Sequence, residues 1–325
     1  MITKVKNKTT PSFREQAEVW LRNGQKRKRN PLRPETVKTY KSQIETNLNP
    51  NIGVLAVDSV GNKEVKELVA ILAAKGLSAS TIQLNVNIIK QIRSSIVNSE
   101  GEQVYPYKWN TEFMDLPIVD KNQQKRPVAS AQTVQDAFKC TSKAPSHTQA
   151  LLVVLAGSGL RIQEALALTM ATNEERLPNF NYWVPSESKI VVFGQRDGQR
   201  MMPPKTKAGI REVDLPSELN DYLKRHFRIE NGLMFPESES FYRREFAKCG
   251  ILGGFHSLRR FRVTHLRMQG VPDSLVHFWI GHEDSTVTGR YTEVGTEIEA
   301  RREAANKAGL GFNLDEPIRG RNPGL

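Results

Sequence analysis

The chain has 325 residues, 38% hydrophobic and 25% charged, an ordinary globular balance with room for two domains and a sizeable core in at least one. Its 47 Lys and Arg against 35 Asp and Glu leave a formal charge of +12, which points to a polyanionic partner, nucleic acid before an anionic membrane surface. Cys140 and Cys249 stand far apart with no zinc-ligand spacing, no long apolar run is present to span a bilayer, and the N-terminus lacks the apolar core of a signal peptide. A reduced, cytoplasmic protein is therefore expected.

The first 115 residues read as helices. In "SFREQAEVWLR", Ser12 and Glu15 have capping-box spacing, and Phe13, Ala17 and Trp20 share a face. "PETVKTYKSQIETNL" enters at Pro34 and aligns Val37, Tyr40, Ile44 and Leu48. "NKEVKELVAILAAKG" has Asn62 as a possible cap, Val65, Leu68, Val69 and Leu72 inward, and Gly76 as its stop. "SASTIQLNVNIIKQIRSSIVN" repeats the pattern through Leu84, Ile88, Ile92 and Ile96. Four such helices with short loops can pack as a small bundle. Residues 1–50 carry a net charge of +8, against −1 over 51–115, and the excess includes Lys26, Arg27, Lys28 and Arg29. A run of this kind is most often a solvated loop and sometimes a phosphate contact.

Residues 116–128, rich in proline and charge with little apolar periodicity, read as a linker. A mixed domain follows over 129–300, and residues 301–325 are a helix end and tail. "HTQALLVVLAGSG" is an apolar helix closed by glycine, "SKIVVFG" and "REVDLP" are short strands, and "KTKAG" sits at or beside the turn between them. Helical patterns return at 216–229, 238–248, 256–269, 272–280 and 296–308. The expected fold is mainly α with one small antiparallel sheet, most strand signal lying in 188–215, and the last fifteen residues form a loose tail.

Four stretches can carry chemistry. "GSGLRIQEALALT" sets Arg161 in the first turn of a helix, an electrostatically poor place unless an anion binds there; the bland alternative is a surface arginine paired with Glu164. "FHSLRRFRVTHLRMQG" puts His256 and Arg259 three apart on one helical face, where a guanidinium and an imidazole can grip a phosphodiester; a basic helix lying on a DNA backbone is the alternative. Lys205 and Lys207 fall on the expected hairpin with Gly209, where a lysine can reach a groove as a point charge, although most such lysines are only solvated. Finally, "WIGHEDSTVTGRYTEV" sets His282 and Tyr291 in a polar stretch with few apolar neighbours.

In order, these motifs resemble the tyrosine recombinase (phage integrase) family, and with the N-terminal helices the resemblance covers roughly residues 10–300. It implies a four-helix SAM-like core-binding domain and an α+β catalytic domain. It also implies Arg161, Lys207, His256, Arg259, His282 and the nucleophile Tyr291 as the catalytic set, with Glu164 supporting the first arginine. "TKAG" favours Lys207 over Lys205, although the interval before it is longer than in compact members. About ten residues precede the first helix, as in Xer-like or simple integrases without a separate arm-binding domain. Implied with the resemblance are double-stranded DNA as substrate, a 3′-phosphotyrosyl intermediate with a free 5′-hydroxyl, no cofactor or metal, and a homo-tetramer on two DNA sites with the C-terminal helix docked on a neighbour. The rivals are a type IB topoisomerase, a non-catalytic DNA-binding protein of the same fold, and a metal-dependent nuclease.

Overall fold

The computed structural model describes residues 10–120, 127–170, 177–204, 207–226, 229, 232–281 and 296–314. The chain divides between Gln124 and Lys125 into two units.

In the first unit, α1 (Phe13–Lys26) opens with the capping box its sequence announces. Glu15 N donates to Ser12 Oγ at 3.3 Å, and Ser12 N donates to Glu15 Oε2 at 2.8 Å. Phe13, Ala17 and Trp20 are buried, as their shared face requires. Helix α2 (Pro34–Gln43) continues through a π turn (Ile44–Leu48) into α3 (Asn49–Ile52). Beside this widened turn, Gln43 Oε1 accepts from both Asn47 and Asn85. Helix α4 (Asn62–Ala74) is capped one residue earlier than expected: Gly61 N donates to Glu64, while Asn62 Oδ1 accepts from Asn110 N. On α5 (Ala79–Ser94), Ile82, Val86 and Ile89 are buried with Ile88 and Ile92, whereas Leu84 and Ile96 are only partly so. The buried stripe is displaced because Asn85 and Arg93 also turn inward. Arg93 donates to the carbonyls of Asp58 and Val60 and stacks on Tyr107 at 4.3 Å, so segment 105–109 straps the bundle.

The second unit forms around α7 (Ser146–Ser158), which is buried on every side from Thr148 to Ser158 and ends at Gly159 with φ of 71°. Helix α6 (Ala131–Thr141) precedes it; the single turn α8 (Ile162–Ala165) follows. A four-stranded sheet runs β1–β2–β3–β6: β1 (Leu168–Met170) pairs parallel with β2 (Asn181–Val184), and β3 (Lys189–Val192) and β6 (Arg211–Asp214) continue it antiparallel. A separate hairpin, β4 (Gln195–Asp197) and β5 (Arg200–Met202), fills the interval between β3 and β6. Then come α9 (Ser217–His226), α10 (Glu239–Lys248), α11 (Phe255–Met268), α12 (Asp273–Ile280) and α13 (Ile298–Ala308). The fold is mainly helical with a small, largely antiparallel sheet, as expected.

Three details differ from the sequence reading. Strands β1 and β2 lie outside the stretch that carried strand signal, and β1 occupies an apolar run read as helix. The buried Asn181 explains this: its side-chain amide donates to the carbonyls of Glu164 and Gly194, and its oxygen accepts from Phe193 N and Gly194 N. A tertiary polar clamp thus overrides local periodicity. Cys140 and Cys249, expected as separate thiols, form a disulfide between α6 and the end of α10; a sequence separation of 109 hid the pairing. Helix α13 packs on its own unit, the bland alternative for this helix. On it Arg301 is buried, donates to Asp214 and Glu212, and lies 5.0 Å from the Phe278 ring, a packing within the unit that leaves the expected docking on a neighbour as it stood. Phe312 and Leu314, placed by the sequence reading in a loose tail, pack against the core; the remainder of that tail lies outside the described residues.

Candidate active site

The C-terminus of α12 organises the site. Its last carbonyls have no partner inside the helix, and three arginines from different elements take them. Arg211 Nε donates to Trp279 O at 2.6 Å, Arg259 NH2 to Ile280 O at 2.5 Å, and Arg161 NH2 approaches Gly281 O at 3.5 Å. Gly281 turns the chain in the left-handed region, φ 63°, where a Cβ would lie 2.9 Å from Ala208 O and from Arg211 NH1. The backbone just before β6 is therefore pressed against the end of α12.

Helix α11 supplies most of the remaining cations. Arg259 also donates to Gly159 O, the C-cap of α7, at 2.6 Å. One turn on, Arg262 reaches Gly309 O, and His265 lies 2.8 Å from Ala308 O, so the same helix ties down the end of α13. Arg259 and Arg262, as cations meeting helix C-termini, satisfy both orphan carbonyls and dipole. Arg262 and His265 are thus taken up by α13, while His256, at the exposed start of α11, and Arg259, Arg260 and Arg267 line the cleft.

Arg161 is the N-cap of α8. Its backbone N donates to Glu164 Oε2 at 2.9 Å and its NH1 to Oε1 at 2.8 Å. This corrects the expectation of an anion bound at the helix start: the helix is one turn long, and the Glu164 carboxylate already occupies that place. The anion-facing group is the side chain, 36% exposed. Glu164 is buried and meets Arg211 from its other side, NH2 to Oε2 at 2.9 Å and NH1 to Oε1 at 3.2 Å. Burial alone would raise its pKa. The two guanidinium groups outweigh burial and hold it at about 2. Arg259 is drawn down to about 9 by burial and by Arg161 and Arg211, against Glu164. Two guanidinium groups thus hold one carboxylate, and the nearby Arg259 leaves a cationic surplus that an anion would relieve. His256 is also lowered, by partial burial first and then by Arg259, Arg260 and Arg161, against Glu239, which favours the neutral imidazole at pH 7.

Arg161, His256 and Arg259 line one cleft of about 690 Å³, together with Arg260, Arg267 and His277. The sequence reading missed Arg211 and the last three. Arg211 carried a signal: it holds an inward position two before Val213 on a short strand, and a cation there needs a buried acid. Lys207 begins a 3-10 turn (Lys207–Gly209) that leads into β6, not the tip of a hairpin between β3 and β6; the β4–β5 hairpin takes up that interval. Lys205, His282 and Tyr291 lie outside the described residues. Lys26, Arg27, Lys28 and Arg29 are exposed at the end of α1 and just after it, in the first unit.

A helical unit followed by a mixed unit of this topology recurs in known proteins. No family model matches the chain. Tyrosine recombinase XerC of Thermodesulfovibrio yellowstonii is 23% identical over 286 residues, 80% of this chain and 85% of that protein. The Tn1549 transposon integrase, solved with transposon right end DNA, aligns with a TM-score of 0.63 at 20% identity, over 90% of this chain and 98% of that one. The lambda integrase of a tetramer bound to a Holliday junction gives 0.59 at 13% identity, over 89% and 79%. The chain has the fold of the tyrosine recombinase family.

Proposed function

We propose that the protein is a site-specific DNA recombinase that breaks and rejoins strands through a phosphotyrosine. The observation that carries this reading is the cleft itself, where Arg161, Arg259 and His256 face one space with a cationic surplus around Glu164. A phosphodiester carries the charge and the nonbridging oxygens that such a cleft can hold. In this reading Arg161 and Arg259 neutralise those oxygens as charge grows in the pentacovalent transition state. The neutral His256, with His282, hydrogen-bonds them or takes the phenol proton. The Tyr291 oxygen attacks phosphorus, the bond from phosphorus to the 5′ oxygen breaks, and Lys207 gives that oxygen its proton. The products are a 3′-phosphotyrosyl link and a free 5′-hydroxyl. A 5′-hydroxyl from a second strand reverses the step and exchanges strands. The covalent link conserves the bond energy, so the scheme calls for neither nucleotide triphosphate nor metal.

The solved integrases named above are bound to DNA, one as a tetramer on a Holliday junction. We extend both features to this chain: double-stranded DNA as substrate, a tetramer on two sites as the working assembly, and the cytoplasm, on the nucleoid, as its place. No described helix is long and apolar enough to cross a membrane.

The test is covalent capture from a random-sequence pool of nicked duplexes, in which the cleaved end diffuses away and traps the intermediate. The wild-type protein should give a detergent-resistant adduct enriched in one sequence, and Tyr291→Phe should bind DNA without an adduct. An unenriched pool together with relaxation of supercoiled plasmid would assign a topoisomerase instead. Binding with no adduct at all would leave only a DNA-binding protein.

A further inference from the structure

Arg211 does more than fill its place in β6. It is 5% exposed, so it stands behind Arg161 and the other residues lining the cleft. Its guanidinium is shared by three separate segments. Nε holds Trp279 O at the end of α12, and NH1 holds Gly209 O in the turn begun by Lys207. NH1 and NH2 together hold both oxygens of Glu164. Those same oxygens take the backbone N and NH1 of Arg161. We infer that Arg211 is a positioning residue for strand cleavage: one buried planar fork fixes the register of α8, the Lys207–Gly209 turn and the end of α12, and orients Arg161 through Glu164.

The chemistry favours arginine specifically. Its donors lie in one rigid plane, so satisfying Glu164 bidentately also fixes where Gly209 O and Trp279 O must lie. A lysine keeps the charge but offers donors from a single point, and cannot span the three partners in this way. The packing leaves little slack, since a Cβ on Gly281 would come within 2.9 Å of Arg211 NH1. A displacement of about 1 Å in any of these segments moves a group away from the phosphate, an error that can cost about 100-fold in rate.

The inference rests on the recombinase reading, and the experiment separates the two. The probe is the nicked duplex recovered by covalent capture. Adduct formation is followed in single turnover for wild type, Arg211→Lys and Arg211→Met, with half-saturation by duplex, melting temperature and pH profile recorded for each. Arg211→Lys should fold and half-saturate like wild type, yet form adduct about 100-fold more slowly at saturating duplex. Arg211→Met should be at least as slow and should acquire an acid limb: Glu164, then paired only with Arg161 within its burial, titrates closer to neutrality. Wild type and Arg211→Lys should lack that limb. Full-rate adduct formation by Arg211→Lys would overturn the inference while leaving the recombinase reading intact. So would a rate that falls only in proportion to lost duplex affinity or lost folded protein. A wild-type protein that forms no adduct would sink both.

Discussion

Glu164 is the residue on which the site's electrostatics turn, and its depressed pKa makes a prediction of definite sign. The carboxyl stays ionised in the folded state at a pH where the unfolded chain would be protonated. Its contribution is therefore complete above the ordinary carboxylate range and is lost as pH falls from about 4.5 through about 2. The displacement corresponds to about 3 kcal/mol of unfolding free energy. Urea unfolding of the wild type over this range should show that loss beyond what Glu164→Gln shows; parallel curves would contradict it. At the same scale, Arg161 is partly exposed and its bonds to Glu164 are shared with Arg211. Arg161→Ala should therefore leave the melting temperature nearly unchanged while slowing adduct formation about 100- to 1,000-fold, the range for a lost oxyanion donor. Equal losses in stability and rate would make it a structural residue. Arg259 differs: it ties the ends of α7 and α12 together from within, so its removal should lower both.

Among the elements, helices were the most legible. The periodicity and caps around Ser12, Val65 and Leu72, and the patterns ending at Gly76, Gly159 and Gly281, mark α1, α4, α7 and α12 because each helix carries local apolar patterning with a start or stop signal beside it. What stayed hidden depends on distant partners: β1 and β2 on the Asn181 clamp, the disulfide on two cysteines 109 residues apart, and Arg211 on a carboxylate 47 positions earlier. The packing of α13 is of the same kind. Its Arg301 pairs with Asp214, which also accepts from the Trp279 indole N–H and is 2% exposed. Removing that cation strands a buried carboxylate, so Arg301→Ala should lower unfolding stability by about 3–5 kcal/mol. Limited proteolysis should then cut after residue 296 before it cuts the helices of the core. Wild-type stability and protection would show that α13 is not held by this pair. The bridge between α6 and α10 closes a long loop, and Cys140→Ser with Cys249→Ser should cost about 2–4 kcal/mol. Mass analysis after alkylation, with and without reductant, reports whether the bond is present.

At the scale of the whole molecule, charge and chemistry separate. On the proposed function, the +12 net charge and the exposed run at 26–29 serve affinity and the cleft of the second unit serves reaction. Replacing Lys26, Arg27, Lys28 and Arg29 with alanine should flatten the dependence of log Kd on log salt by about one unit per phosphate contact removed, without altering which sequence is preferred. An unchanged slope would place those residues in free solvent. The most direct test of the central claim is to identify the residue that becomes joined to DNA. After capture on a nicked duplex, nuclease trimming and proteolysis, mass spectrometry should find a nucleotide attached through its 3′ phosphate to the peptide containing Tyr291, and to no other. A nucleotide on any other residue, or an adduct that persists in Tyr291→Phe, would contradict the account.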